Sequence, residues 1–124
     1  MDTFLRRCHV TKDYQASHTD PFSVQAHELF HVSEKVDFWN GNPDWIWIWC
    51  TDPRGKSGWV PKKMIHTNSD NATASTSSAY SALELTITTG DELEVVEEES
   101  GWLWCVDQQG NYGWVPLEHV TWLL

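Results

Sequence analysis

Apolar and polar positions alternate in short bursts along this chain. Trp45-Ile46-Trp47-Ile48-Trp49-Cys50 alternates indole with Ile or Cys, so as a strand it sets three tryptophans on one face and Ile46, Ile48 and Cys50 on the other. Cys50 is small and in phase with branched aliphatics, which predicts that the Ile and Cys face is the interior. Asp52-Pro53-Arg54-Gly55 then reads as a turn. It returns the chain into Gly58-Trp59-Val60-Pro61, where Val60 is expected inside, Trp59 outside, and Pro61 at the strand end. Nowhere do apolar residues recur at i, i+3 and i+4 for long enough to predict a helix. The chain is predicted to be all-β.

The same pattern occurs twice. Trp47-Ile48-Trp49-Cys50 returns as Trp102-Leu103-Trp104-Cys105, and Gly58-Trp59-Val60-Pro61 as Gly113-Trp114-Val115-Pro116, at one constant offset of 55 residues. A gapless duplication of this kind predicts two small units in tandem. Residues 67–78 are Asn, Ser, Thr, Ala and Asp without a large apolar side chain, and read as a linker. The expected domains are therefore 1–66 and 79–124. Within the first, residues 33–44 carry Phe38-Trp39-Asn40-Gly41-Asn42-Pro43, an insertion with turn signals that is too apolar for an idle loop. It is expected to pack over the first unit or its neighbour.

These residues resemble the Src-homology-3 (SH3) family, in its variant bacterial form. The first copy supplies Asp13-Tyr14-Gln15-Ala16, Phe22-Ser23-Val24, Glu28-Leu29, Trp47, Gly58-Trp59-Val60-Pro61 and Met64-Ile65. The second supplies Tyr80-Ser81-Ala82, Leu85-Thr86-Ile87, Gly90-Asp91-Glu92-Leu93, Gly101-Trp102, Gly113-Trp114-Val115-Pro116 and His119-Val120. The resemblance implies two small five-stranded β-barrels, each with a shallow aromatic groove for proline-rich peptides in the polyproline II conformation. Carried over by position, the first groove would hold Tyr14, Trp47, Pro61 and Met64, with Trp59 at its edge and Asp20 on the acidic RT loop. The second would hold Tyr80, Trp102, Pro116 and His119, with Trp114 at its edge. Indole and phenol planes would grip Pro rings and donate to ligand carbonyls, while Asp20 would pair with a basic flank. The family's first groove tyrosine is Lys12 or Ser78 here, its last is Met64 or His119, and the second RT loop is clipped between Tyr80 and Leu85.

Charge narrows the partners. The net charge is −10 over 124 residues, and residues 67–124 hold ten Asp and Glu with no Lys or Arg. Phosphate-rich partners need basic surfaces, so neither nucleic acid nor an anionic membrane is expected. A basic peptide is favoured. The run Glu97-Glu98-Glu99 falls where the second n-Src loop should be and reads as a solvated turn.

Cys8, Cys50 and Cys105 do not make an even disulfide set, and two of them occupy the same position in successive copies. Small buried thiols in a cytoplasmic protein are expected. The start of the chain lacks the apolar stretch of a secretory leader. His27 and His31 have the spacing of helical metal ligands, but the surrounding pattern is a strand, so neither metal nor cofactor is expected. No nucleophile or phosphate-cradling loop is arranged for catalysis. The expected protein is non-enzymatic and binds proline-containing or basic peptide segments. The rivals are a structural or weakly self-associating module whose tryptophans, Trp49 and Trp104 among them, pack the domain interface, a cell-wall-targeting SH3 module, and an aromatic cage for quaternary ammonium groups.

Overall fold

A computed structural model describes residues 6–17 and 20–123. Residues 1–5, on which the expectation of a missing leader partly rests, lie outside them. In chain order the strands are β1 (Arg6–Val10), β2 (Ser23–Val24), β3 (Phe30–Phe38), β4 (Ile46–Thr51), β5 (Ser57–Pro61), β6 (His66–Thr67), β7 (Thr73–Ser75), β8 (Tyr80–Ser81), β9 (Glu92–Glu99), β10 (Trp102–Val106), β11 (Tyr112–Pro116) and β12 (Val120–Leu123). Short 3₁₀ turns occupy Trp39–Gly41, Lys62–Met64 and Leu117–His119. The all-β expectation holds.

The strands form two five-stranded antiparallel sheets, ordered β5-β4-β3-β7-β6 and β11-β10-β9-β1-β12, with β2 and β8 as a separate pair. Two compact units result: Asp20–Leu83, and Met1–Thr19 together with Glu84–Leu124. These differ from the expected domains at 1–66 and 79–124. Strand β1 lies between β9 and β12, pairing Cys8 with Leu93 and with Trp122. Strand β7 lies between β3 and β6, pairing Ala74 with Phe30 and with Thr67. Each copy of the sequence repeat thus gives its first strand to the sheet built by the other copy. The expected linker at 67–78 contains β7, and the reason it looked like a linker is physical. Its inward residue is Ala74, wholly buried but too small to give a strand its hydrophobic signature.

The two duplicated hairpins, β4–β5 and β10–β11, are built alike. Asp52 accepts backbone hydrogen bonds from Arg54 and Lys56, and Asp107 accepts the same pair from Gln109 and Asn111, all at 2.9–3.0 Å. Gly55 and Gly110 supply the left-handed backbone that closes each turn, with φ of 85° and 86°.

The insertion at 33–44 extends the sheet. Residues 33–38 continue β3, the 3₁₀ turn follows, and the Trp39 N–H donates to the Trp45 carbonyl at 2.9 Å as the chain re-enters β4. Of its two large aromatics Phe38 is exposed and Trp39 half-buried.

In the unit holding β9 to β12 the core is Cys8, Val10, Leu85, Ile87, Leu93, Val95, Leu103, Cys105 and Val115. Cys50, Val60 and Val115 are interior as predicted. Ile46 and Ile48 are only half-buried, whereas the tryptophans expected outside are largely covered: Trp47 is 5 %, Trp102 8 % and Trp114 4 % exposed. The Trp114 indole packs against that of Trp104 with centroids 5.3 Å apart, and its backbone is paired at the sheet edge, where the chain at Glu84 bridges to it and the Leu85 N–H donates to its carbonyl at 3.1 Å.

Candidate functional site

In the unit of β1 and β9–β12 the strand exchange brings Tyr14 into the second copy's surroundings. Backbone hydrogen bonds in both directions tie Tyr14 to Ile87, which fixes the ring above the end of β10. There it meets Trp102 edge to face at 5.7 Å and His119 at 5.4 Å between ring centroids. Trp102 stands opposite Pro116 on β11 and opposite Glu99 on β9. His119 ends the 3₁₀ turn after Pro116. Tyr14, Trp102, Pro116 and His119 therefore gather on one unit, drawn from both copies of the repeat. This replaces the expected grouping of Tyr14 with Trp47, Pro61 and Met64.

Polar contacts hold the cluster in place. The Tyr14 hydroxyl donates to Glu84 Oε1 at 2.7 Å, and the Ser17 N–H reaches the same oxygen at 3.0 Å. Burial, with the adjacent Glu84 carboxylate, pushes the phenol well above its ordinary ionisation range. His119 Nδ1 lies 3.1 Å from the Lys12 carbonyl and 3.0 Å from that of Asp13. Two carbonyls can only accept, so Nδ1 carries a proton and in the neutral ring Nε2 is left as the acceptor.

In the unit of β2–β8 the tyrosine is more deeply packed than Tyr14, while Pro61 and Pro116 are equally buried. The Tyr80 hydroxyl donates to the Trp59 carbonyl at 2.7 Å, and its ring tilts against Phe22. Trp47 pairs across the sheet with Pro61, and both are buried. Trp59 and Met64 are half-buried. Asp20 has its side chain 61 % exposed, but Arg54 at 3.2 Å and Lys56 at 3.7 Å already neutralise it. Arg54 also bonds buried Asp52 at 3.0 Å.

A second aromatic arrangement went unnoticed in the sequence. Trp49 and Trp59 face each other across β4 and β5 with centroids 5.1 Å apart, and the Lys35 ammonium lies 4.8 Å from one ring and 5.4 Å from the other. Trp104 and Trp114 repeat the pair at 5.3 Å, with Tyr112 stacked on Trp104 at 6.3 Å. Indoles at facing positions on the two strands of each duplicated hairpin were the available signal. The part played by Lys35 depends on a bulge between Val32 and Val36 that no pattern discloses.

Among the described residues no group of His, Cys, Asp and Glu could hold a metal ion, and no helix is long and apolar enough to cross a membrane. No curated protein and no solved structure matches the chain. The family profile of the variant SH3 domain fits twice, over residues 7–66 and 69–122, so the second fit starts ahead of β7. Two matches that together span nearly the whole sequence, on two five-stranded sheets that repeat the same hairpin, place this chain in the variant SH3 domain family.

Proposed function

We propose that the protein is a non-catalytic peptide-binding module whose working surface is the cluster of Tyr14, Trp102, Pro116 and His119, and that it takes proline-containing segments with a basic flank. The observation that carries this reading is the edge-to-face packing of Tyr14 against both Trp102 and His119, which holds rings at fixed angles around Pro116. Rigid rings at fixed angles form walls into which a polyproline II ridge fits without ordering cost. Glu84 and Glu118 supply negative charge at its rim, with Glu99 opposite Trp102, and a Lys or Arg beside the proline core would be drawn there. The buried thiols of Cys8, Cys50 and Cys105 support a reducing compartment such as the cytoplasm. The other unit offers less, because Asp20 is already paired.

A peptide array of proline-rich and basic sequences, probed with wild type, Tyr14→Leu and His119→Ala, tests this. Loss of the captured sequences in both variants, with unchanged circular dichroism, is expected. An identical capture profile for all three proteins sinks the reading.

One observation favours a second reading, a structural module. Trp47, Trp102 and Trp114 are nearly buried, and their indoles are then spent on packing. On that reading tryptophan emission is blue-shifted and does not respond to any peptide that the array captures.

A further inference from the structure

The two units carry the same tryptophan pair, with different charged side chains beside it. In one unit Lys35 stands over Trp49 and Trp59. Its counterpart in the other follows from the strand register. Val36 faces Ile48 and Asp37 faces Trp47, while Glu98 faces Leu103 and Glu99 faces Trp102. The position before Val36 is Lys35, and the position before Glu98 is Glu97, which lies directly opposite Trp104. Where the first unit fills its indole pair with its own ammonium, the second therefore sets a carboxylate beside Trp104, Trp114 and Tyr112.

We propose that Glu97, Trp104 and Tyr112 form a receptor for the side-chain ammonium of a lysine on a basic peptide, the group that Lys35 provides internally in the twin unit. An ammonium within about 6 Å of an indole centroid is attracted by the ring's negative face, and a carboxylate at its side adds a charge-assisted hydrogen bond. Trp104 is half-buried and Tyr112 is 52 % exposed, so the rings can be reached from solvent. Of the basic residues in this unit, Arg6 is engaged by Glu98 and the Trp122 ring and Arg7 by Glu92, which leaves the place beside Glu97 and Trp104 to an incoming cation. Burial and the neighbouring Glu99 hold the Glu97 carboxyl above its ordinary range, the condition of a carboxylate that gains from a counter-charge. This receptor requires no proline and stands whether or not Tyr14, Trp102 and His119 bind one.

The test is titration of the full chain with acetyl-tetralysine amide, following indole N–H signals by ¹⁵N-resolved NMR and assigning Trp104 by its absence in Trp104→Phe. The Trp104 signal should shift in a saturable way. Glu97→Gln should weaken the apparent affinity roughly two- to five-fold, and Glu97→Lys, which copies the twin, should abolish the response while the remaining amide spectrum stays native. Lys35→Glu should in turn make Trp49 responsive to the same peptide. A Trp104 signal that ignores tetralysine, or one that shifts equally in Glu97→Lys, overturns the proposal. Tighter binding of choline than of tetralysine would replace lysine by a quaternary ammonium as the occupant and overturn it too. So would a Trp104 shift produced by raising the concentration of the protein alone.

Discussion

Tyr14 and Trp102 meet edge to face with ring centroids 5.7 Å apart, although they belong to different copies of the sequence repeat. Their contact is a product of the strand exchange. A double-mutant cycle on Tyr14→Leu and Trp102→Leu should return a coupling of about 0.5–1.5 kcal/mol in urea denaturation. Strictly additive losses would mean that the rings act independently.

The Tyr14 hydroxyl yields a pH prediction. Burial first, then the bond to Glu84, raise its pKa in the folded chain, whereas the unfolded phenol ionises near 10, roughly. The stabilisation is therefore complete below about pH 10 and is lost as pH climbs through the folded value. Unfolding curves of wild type and Tyr14→Phe should differ at neutral pH and converge under alkaline conditions.

Asp52 behaves in the opposite sense. Its burial disfavours the charge, but hydrogen bonds from the Ser23, Lys56 and Arg54 N–H groups and from the Arg54 guanidinium prevail and lower its pKa. Its contribution is present above about pH 4, the unfolded value, and fades as pH falls through the folded one. Asp52→Ala strands several donors at about 1–3 kcal/mol each. Asp107→Ala, at the equivalent and more open turn, should cost clearly less in thermal denaturation.

Gly58 and Gly113 occupy matching places in the two hairpins, and neither has room for a side chain. A Cβ at Gly58 would lie 2.8 Å from the Ala82 Cβ, while one at Gly113 would lie 2.7 Å from the backbone of both Glu84 and Leu85. Side chains shift more readily than main chain. Both alanine substitutions should destabilise by about 1–3 kcal/mol, with Gly113→Ala the more damaging.

Fragments distinguish the compact units from the sequence halves. Residues 20–83 carry β2 to β8 and should unfold cooperatively on their own. Residues 69–124 lack β1, which lies between β9 and β12 and contributes buried Cys8 and Val10. That fragment should gain native-like near-UV circular dichroism only when a peptide spanning 6–17 is added. A native spectrum from 69–124 alone would show that β7 can replace β1.

How much of this was legible in the sequence follows from what each residue displays locally. The hairpins were readable because Trp-Cys strands, Asx-type turns and Gly-Trp-Val-Pro are short-range signals that occur twice. Burial of Cys50, Cys105 and Val115 followed from strand phase. Pairing partners were not readable, since β1 looks the same whether it joins its own copy or the other. The grouping of Tyr14 with Trp47 failed for that reason. The pairing of Glu84 and Leu85 with the Trp114 backbone was equally hidden, because a bridge between such distant positions leaves no mark on the local pattern.

The exchange of β1 and β7 also has a consequence for how the chain is made. A ribosome delivers β1 first, yet β9, β10, β11 and β12 come last. The unit spanning 20–83 is continuous, so it can close while the rest is still being synthesised. During that time β1 has neither of its neighbours, β9 and β12. Its sheet closes only after the last strand has been made, through pairings between the two ends of the described chain. Such long-range pairing is the slow kind, so the second unit is expected to be the later one to fold.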